Sequence, residues 1–280
     1  MVPVAADCHI HMVLDGYDWR SAIGRHSQGP DLDFISQQLA LYRKQGYTYL
    51  RDGGDRWGAG AAARALAPEY GITYRTPLAP LCRRGHYGSF IGITYGDLKE
   101  YAQLVVQQRR AGADFIKIMI SGLMDFHQFG VLTETGQDPE EIRELISIAH
   151  QEGMSVMAHA NGGATVVAAA QAGVDSVEHG AYLTPEALAA MEEAGTVWVP
   201  TVSTVGNLLG AGRFPDDQVS RILDSTLENL AAYKGLVAPG TDAGAWAVPH
   251  GSQTEEKWLA QAGIDAQRLE DGIRVIREKF

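Results

Sequence analysis

Eight apolar segments rich in β-forming residues, with helical patterns between them, constrain the fold of this 280-residue chain most strongly. They follow one another at intervals of roughly 30 residues, the length of a strand–helix repeat in a parallel sheet. They begin near Val4, Tyr47, Ile72, Asp114, Ser155, Ser176, Thr196 and Leu236. The alternation predicts an α/β fold, a (β/α)8 TIM barrel in a single domain over residues 1–280. An open doubly wound sheet is the alternative.

Helix signals occupy the intervals between these segments. Asp31 to Gln45 carries apolar residues at helical spacing. Asp138 and Thr184 are each followed by a proline and an acidic residue, so each predicts a helix N-cap. Long connections follow four of the strands, at residues 12–30, 80–95, 121–137 and 202–214. We expect these connections to form loops over one end of the barrel.

The charge balance and the cysteine count limit the partners and the compartment. The chain has 34 acidic and 23 basic residues and a formal net charge of -11, which argues against nucleic acid or an anionic membrane as a partner. The two cysteines, Cys8 and Cys82, cannot form a disulfide framework, so a reducing cytoplasm is expected. The sequence shows no signal peptide and no apolar stretch long enough to span a membrane.

Five short motifs stand where predicted strands end, and they contain four histidines, one lysine and one aspartate. The motifs are Asp7–His11, Ile116–Met119, Ala158–Gly162, Glu178–Gly180 and Gly240–Gly244. In a closed barrel the carboxyl ends of all strands meet at one mouth, where enzymes of this fold carry their active sites. Residues from opposite ends of the chain would then share one pocket, with the composition of a metal hydrolase site.

The four histidines are suited to metal binding. His9 and His11 are two residues apart on a predicted strand, so both side chains point to the same face. His159 and His179 end the fifth and sixth predicted strands beside small residues. One such histidine is commonly a hydrogen-bonded structural residue, but four at the strand ends of one barrel indicate a metal site.

Lys117 and Asp242 add two charged groups to the same mouth. Lys117 lies in an apolar run, where burial is costly unless the amine is neutral or paired. Lys117 is therefore either functional or a residue whose amine extends to solvent at the edge of the barrel. Asp242 follows a short apolar run and could bind metal, accept a proton or cap a helix.

Together these residues resemble the amidohydrolase superfamily. The motifs around His159, His179 and Asp242 are similar to those of its imidazolonepropionase-like and Xaa-Pro or Xaa-Arg dipeptidase branch. The resemblance covers nearly the whole chain and implies two divalent metal ions, with zinc favoured by the imidazole-rich ligands. It also implies that His9 and His11 bind the more buried ion and that His159 and His179 bind the second.

The same resemblance implies roles for the two charged residues. Lys117 would carry a carbamate that bridges the ions, and Asp242 would be a metal ligand and the catalytic proton shuttle. The family usually adds a small β-sandwich built from both termini, and we expect none here because the first predicted barrel strand starts near Val4. A barrel without the accessory sandwich is therefore expected, and a homo-oligomer could cover the barrel surface that this exposes.

A further set of residues near strand ends is expected to bind a small-molecule substrate. The set is Asp55, His86, Tyr87, Tyr182 and His250, each of which could equally be a surface or packing residue. The expected reaction is hydrolysis of an amide-like bond in a small, polar dipeptide, N-acyl amino acid or cyclic amide. Lactone hydrolysis or deamination at the same metals is an alternative, and a catalytically silent metal-binding barrel is another.

Overall fold

The structure is a computed structural model that describes residues 6–280. Nine short strands lie within that range, and every pair of neighbouring strands is parallel. They are β1 (Ala6–Ile10), β2 (Tyr49–Asp52), β3 (Thr73–Arg75), β4 (Leu81–Arg83), β5 (Ile93–Tyr95), β6 (Ile116–Met119), β7 (Val156–Ala160), β8 (Ser176–His179) and β9 (Val197–Val199). One sheet has the order β1-β2-β3 and the other β5-β4-β6-β7-β8-β9. The predicted α/β class with parallel strands is confirmed.

Helices separate the strands as the sequence predicts. They are α1 (Trp19–Arg25), α2 (Leu32–Lys44), α3 (Ala59–Leu66), α4 (Leu98–Arg110), α5 (Pro139–Gln151), α6 (Gly163–Gln171), α7 (Pro185–Ala194), α8 (Ser203–Gly206), α9 (Asp216–Ala232), α10 (Thr254–Gln261) and α11 (Ala266–Lys279), with a 3₁₀ turn over Ala67–Tyr70. The side chains of Asp31, Asp138 and Thr184 accept backbone N–H bonds at the starts of α2, α5 and α7. These predicted helix starts are confirmed. No helix within residues 6–280 is long and apolar enough to cross a membrane.

An extended segment beyond α9 joins the two sheets. Trp198 in β9 exchanges backbone hydrogen bonds of 2.9 and 3.0 Å with Leu236 and Ala238. A few residues further on, the amide of Cys8 in β1 donates to the carbonyl of Pro239 at 2.9 Å. The segment therefore lies between the last strand of one sheet and the first strand of the other. This is the place that a closed barrel gives to its eighth strand.

Several sequence predictions differ from the observed elements. The eighth segment near Leu236 makes isolated bridges rather than a regular strand, and Val4 lies outside the described residues. Residues 80–95, predicted as a loop, contain β4 and β5, because Leu81 and Cys82 pair with Ile118 and Met119 of β6. Residues 12–30 and 202–214 contain the short helices α1 and α8.

The interior below the strand ends is filled by apolar side chains from several strands and from α11. Buried residues of β1, β2, β7 and β9 form one cluster with Ile273, Ile276 and Phe280. The ring of Phe280 meets that of Phe115 edge-on at 5.1 Å. The amino ends of these strands are thereby closed, so the open cavity lies at their carboxyl ends. Cys8 and Cys82 are both buried as free thiols.

Candidate active site

The carboxyl ends of the strands bring the first and last predicted motifs together. Nε2 of His9 lies 3.4 Å from Nε2 of His11. Oδ1 of Asp242 lies 3.4 Å from both of these nitrogens. The contact joins residues that are more than 230 positions apart in the chain, because the backbone amide of Asp242 donates to the carbonyl of His9 at 2.7 Å.

The other two histidines complete the cluster. The ring centroid of His179 lies 4.6 Å from that of His159 and 5.0 Å from that of His9. Potential ligand atoms of His9, His179 and Asp242 all lie within 4.8 Å of one another. Lys117 shares the lining of one cavity with His159, His179 and Asp242. The structure thus gathers all six residues proposed as metal ligands.

A buried carboxylate fixes the orientation of His9. Oε2 of Glu178 lies 2.6 Å from Nδ1 of His9, and Nη2 of Arg51 donates to Oε1 of the same carboxylate at 2.8 Å. Ser176 also donates to Oε1, and all these groups are fully buried. A carboxylate only accepts hydrogen bonds, so Nδ1 of His9 carries the hydrogen and Nε2 keeps its lone pair for a metal.

Two more histidines are oriented by neighbouring oxygens. The carbonyl of Gly122 lies 3.2 Å from Nε2 of His159, so this nitrogen carries the hydrogen and Nδ1 keeps the lone pair. Oγ1 of Thr201 lies 2.7 Å from Nδ1 of His179. His179, Thr201 and Asp242 have φ angles of 68°, 49° and 57°. Such left-handed backbone is uncommon outside glycine and clusters at functional sites.

Two glycines let the backbone approach the ligand side chains. A Cβ atom on Gly53, directly after β2, would collide with the imidazole of His11. A Cβ atom on Gly240 would lie 2.8 Å from Cβ and 3.0 Å from N of His9. Any side chain at either position would displace a predicted ligand, so these glycines serve the site through close packing.

Burial sets the protonation of the cluster. It lowers the pKa of both His11 and His159 to about 3 and holds the pKa values of His9 and His179 well below the ordinary range. Burial also lowers the pKa of Lys117 to about 8. All four imidazoles are therefore neutral at pH 7, which is the form that binds metals.

Several buried polar atoms at the site are unsatisfied within residues 6–280. Lys117 Nζ, Asp242 Oδ1 and His11 Nδ1 make no hydrogen bond there. Burial raises the pKa of Asp242 to about 8, since no fixed cation compensates its charge fully. Leaving such groups unpaired is costly. A divalent cation would compensate the carboxylate and use the imidazole lone pairs, so the donor set fits a divalent metal.

A cavity of about 450 Å³ opens above these groups. Of the residues predicted to bind substrate, Tyr87 lines it, and its ring lies 4.8 Å from that of His159. The remaining walls are more aromatic than a small polar substrate would suggest. The aromatic side chains in the lining are Tyr17, Trp19, Tyr87, Phe90, Phe126, Phe214 and Trp246.

The structure places His250 and Asp55 away from this lining, in structural positions. Nε2 of His250 donates to the carbonyl of Leu14 at 3.0 Å, and Nδ1 lies 3.0 Å from the hydroxyl of Tyr42. Asp55 accepts three backbone N–H bonds at the start of α3. These bonds use polar atoms that a substrate would need, and the substrate-binding roles of both residues stay predictions without a supporting contact.

His86 and Tyr182 also lie outside the cavity lining. The side chain of His86 is 45% exposed, and its Nδ1 lies 3.3 Å from Glu134. The ring of Tyr182 packs edge-on against Phe129 at 5.3 Å, although Tyr182 follows the His179 motif closely. The substrate-binding roles of both residues stay predictions without a supporting contact.

Sequence reasoning missed the residues that support the ligands. Arg51 and Glu178 were not assigned a role, although an arginine inside the buried strand β2 is as unusual as Lys117 in β6. That signal could have singled out Arg51. Thr201 gave no such signal, because its contact with His179 depends on the left-handed turn after β9.

Comparison with known proteins gives the family and the fold. An ochratoxinase of Aspergillus niger is 26% identical to this chain in an alignment of 283 residues. The alignment covers 86% of this chain and 56% of the ochratoxinase. An uncharacterized protein of Mycobacterium tuberculosis is 27% identical over 272 residues, which cover 91% of this chain and 67% of that protein. The chain thus spans little more than half the length of the ochratoxinase.

Solved structures share the fold over almost the whole chain. The structure of a Xaa-Pro dipeptidase with bound methionine has a TM-score of 0.76 at 21% identity, covering 98% of this chain and 75% of that one. The A. niger ochratoxinase structure has a TM-score of 0.75 at 22% identity, with 98% and 69% covered. The sequence model of the amidohydrolase family matches residues 62–213, more than half of the chain. The chain therefore belongs to the amidohydrolase family.

Proposed function

We propose that the protein is a metal-dependent hydrolase that cleaves an amide-like carbon–nitrogen bond. One observation supports this most directly: four neutral imidazoles, Lys117 and Asp242 converge at the strand ends of a chain that belongs to the amidohydrolase family. His9 and His11 would hold one divalent ion, and His159 and His179 the second. Zinc suits the imidazole-rich donor set.

Lys117 is suited to become a carbamate that bridges the two ions. Its amine is buried without a hydrogen bond from the described residues, and burial lowers its pKa to about 8. More of the amine is therefore unprotonated at pH 7 than at its ordinary pKa of 10.5. This neutral form can attack carbon dioxide, with loss of one proton. The resulting carbamate is an anion that two adjacent cations would stabilise.

Asp242 is suited to move the proton during hydrolysis. A bound divalent ion lowers the pKa of water and polarises a carbonyl group. The buried Asp242 carboxylate faces the same space as the imidazoles, with one oxygen that accepts no hydrogen bond from residues 6–280. A divalent cation beside this carboxylate would keep it ionised, so that it could accept the proton released by water and deliver it to the departing nitrogen.

The same proposal includes the architecture around the site. We infer that both sheets belong to one closed barrel in a single domain, because the segment near Leu236 hydrogen-bonds to β9 and continues along β1. A barrel without an accessory β-sandwich stays a prediction, as does a homo-oligomer. The proposed partner is a small-molecule substrate.

Metal analysis and two substitutions test the proposal. We expect about two divalent ions per chain and hydrolysis of at least one member of a panel of dipeptides, N-acyl amino acids and cyclic amides. Lys117→Ala should lose one ion and most activity. Asp242→Asn should retain most of the metal but slow turnover at least 100-fold, because the amide cannot accept a proton.

Matched controls separate these effects from misfolding. Lys99→Ala and Asp224→Asn change exposed residues of α4 and α9 and should leave metal content and turnover unchanged. Full activity of Lys117→Ala would contradict the bridging carbamate. A preference for lactones or aminated bases in the same screen would replace amide hydrolysis, and absence of bound metal would favour a catalytically silent barrel.

A further inference from the structure

Two groups of aromatic side chains in contact with one another form much of the cavity wall. Phe126 stacks on Phe214 with ring centroids 4.9 Å apart, and the ring of Trp246 meets that of Phe214 edge-on at 6.4 Å. On another part of the lining, Phe90 lies 5.5 Å from Trp19 and 5.9 Å from Tyr87. A wall of this kind gains most by burying a large planar apolar group.

A single arginine contributes charge to the exposed part of this lining. The other charged groups of the lining, Lys117 and Asp242, are buried with the imidazoles. Arg213 is exposed, and its guanidinium lies 4.0 Å from the ring centroid of Trp246 and 5.4 Å from that of Phe214. The cavity therefore has charged groups in two places: Lys117 and Asp242 beside the proposed metal ligands, and Arg213 at the open side.

The guanidinium of Arg213 contacts two aromatic rings but has no anionic partner in the part of the chain that the structure describes. The salt bridges of residues 6–280 join other arginines to carboxylates, whereas the contacts of Arg213 are with aromatic rings. Stacking on a ring leaves the N–H groups at the edge of the guanidinium free to bind an oxyanion in bidentate fashion.

We propose that the substrate is an amide with a bulky aromatic group, which the aromatic wall buries, and a carboxylate, which Arg213 binds at the mouth. This inference rests on the proposed function, because the amide bond of such a substrate is the bond that the proposed metal site would cleave. It differs from the small polar substrate expected from the sequence. A planar carboxylate matches the guanidinium fork, and burial of an aromatic group removes on the order of 150–250 Å² of apolar surface from water.

A pair of non-hydrolysable probes tests binding separately from catalysis. N-(2-naphthylsulfonyl)-L-alanine and its carboxamide share the aromatic group and the sulfonamide and differ in the carboxylate alone. We expect calorimetric titration of the metal-loaded protein to give a Kd about 10- to 100-fold lower for the acid, as for a charge-assisted hydrogen-bonded pair. N-methylsulfonyl-L-alanine, which lacks the aromatic group, should bind at least about 10-fold more weakly.

Substitutions of Arg213 assign the preference to this residue. Arg213→Gln should remove the difference between acid and carboxamide, and Arg213→Lys should restore part of it, because lysine keeps the charge but loses the fork. The matched control is Arg221→Gln, since Arg221 stacks on Phe129 at 4.4 Å outside the cavity lining. It should retain the full difference.

Each outcome distinguishes this inference from the proposed function. Equal Kd values for acid and carboxamide, a difference that survives in Arg213→Gln, or no binding of any probe would overturn the inference. In those cases metal content and hydrolysis of the amide panel would still decide whether the protein is a metal-dependent hydrolase of amide bonds. The inference would be supported if Arg213→Gln loses the preference for the acid over the carboxamide while Arg221→Gln retains it.

Discussion

At the scale of single residues, the proposed metal ligands depend on buried groups that never face the cavity. Glu178 accepts from His9 on one oxygen and from Arg51 on the other. A buried ion pair is tolerated when its remaining polar atoms are hydrogen-bonded, and Arg51 also donates to the carbonyl of Cys8 and to Ser176. The network therefore links His9 to side chains of β2 and β8 and to the backbone carbonyl of Cys8 in β1.

Glu178→Gln tests this support. The amide keeps the shape of the side chain but leaves Arg51 without an anion in a fully buried position, and it removes the charged acceptor that fixes Nδ1 of His9. We expect metal affinity, measured by competition with a chelator, to fall about 10- to 100-fold. Glu186→Gln, in the exposed first turn of α7, is the control and should bind metal normally. Unchanged affinity in Glu178→Gln would show that His9 needs no such anchor.

The sequence could predict the ligands but not the residues that support them. His9, His11, Lys117, His159, His179 and Asp242 stand out because histidines and a buried lysine at strand ends are unusual. The partners of Glu178 depend on which strands are neighbours and on register, as in the pairing of Ser176 and Glu178 with residues of β7 and β9. No local sequence pattern encodes a contact between β2 and β8.

At the scale of elements, helix ends were predictable, whereas the strands β4 and β5 were not. The N-cap signal of Asp138 is local in sequence. Its side chain accepts hydrogen bonds from the amides of Glu140 and Glu141, which lie two and three residues later. In contrast, β4 and β5 have three residues each and lie within residues 80–95, which the sequence predicts as a loop. Their strand conformation comes from the pairing of β4 with both β5 and β6, which local propensity does not reveal.

One aspartate joins three elements on the far side of the strands from the cavity. Asp175 lies 2.9 Å from Nε2 of His150 in α5 and accepts the amide of Val156 in β7 at 2.9 Å. Its other oxygen accepts from Lys279 in α11 at 2.8 Å. Burial alone would raise the pKa of Asp175, but these three hydrogen bonds outweigh it and lower the pKa below the usual 3.8.

Asp175→Asn should therefore destabilise the protein in a pH-dependent way. Because the pKa is lower in the folded state, the carboxylate contributes stability that is present above pH 3.8 and lost as the pH falls through the folded pKa. Urea unfolding at pH 7 should show a loss of about 1–3 kcal/mol, and the difference from the parent should narrow below pH 3.8. The control Asp224→Asn, on the exposed face of α9, should match the parent. A loss independent of pH would rule out the ionised form as its source.

At the scale of the whole molecule, the site depends on the contact between the two ends of the chain. Thr241 donates its amide at 2.9 Å and its hydroxyl at 2.6 Å to the carboxylate of Asp7, 234 positions away. Asp242 directly follows Thr241, and His9 lies two residues after Asp7. Convergence of the motifs was predictable only by assuming a closed barrel. The aromatic cavity was not predictable, because Trp19, Phe126 and Trp246 come from separate connections whose packing the sequence does not show.

Thr241→Val tests whether this contact holds the site together. Valine keeps the shape but removes the hydroxyl, so the fully buried Asp7 loses one hydrogen bond. We expect the free energy of unfolding of the metal-free protein to fall by about 1–3 kcal/mol. The metal-loaded protein should lose more, because His9 and Asp242 would no longer be held at ligand distance and metal affinity would fall. Thr226→Val removes a buried hydroxyl whose acceptor is the carbonyl of Ile222 in α9, and it should leave metal affinity unchanged. If Thr241→Val loses stability equally with and without metal, the contact between Asp7 and Thr241 supports the fold and not the site.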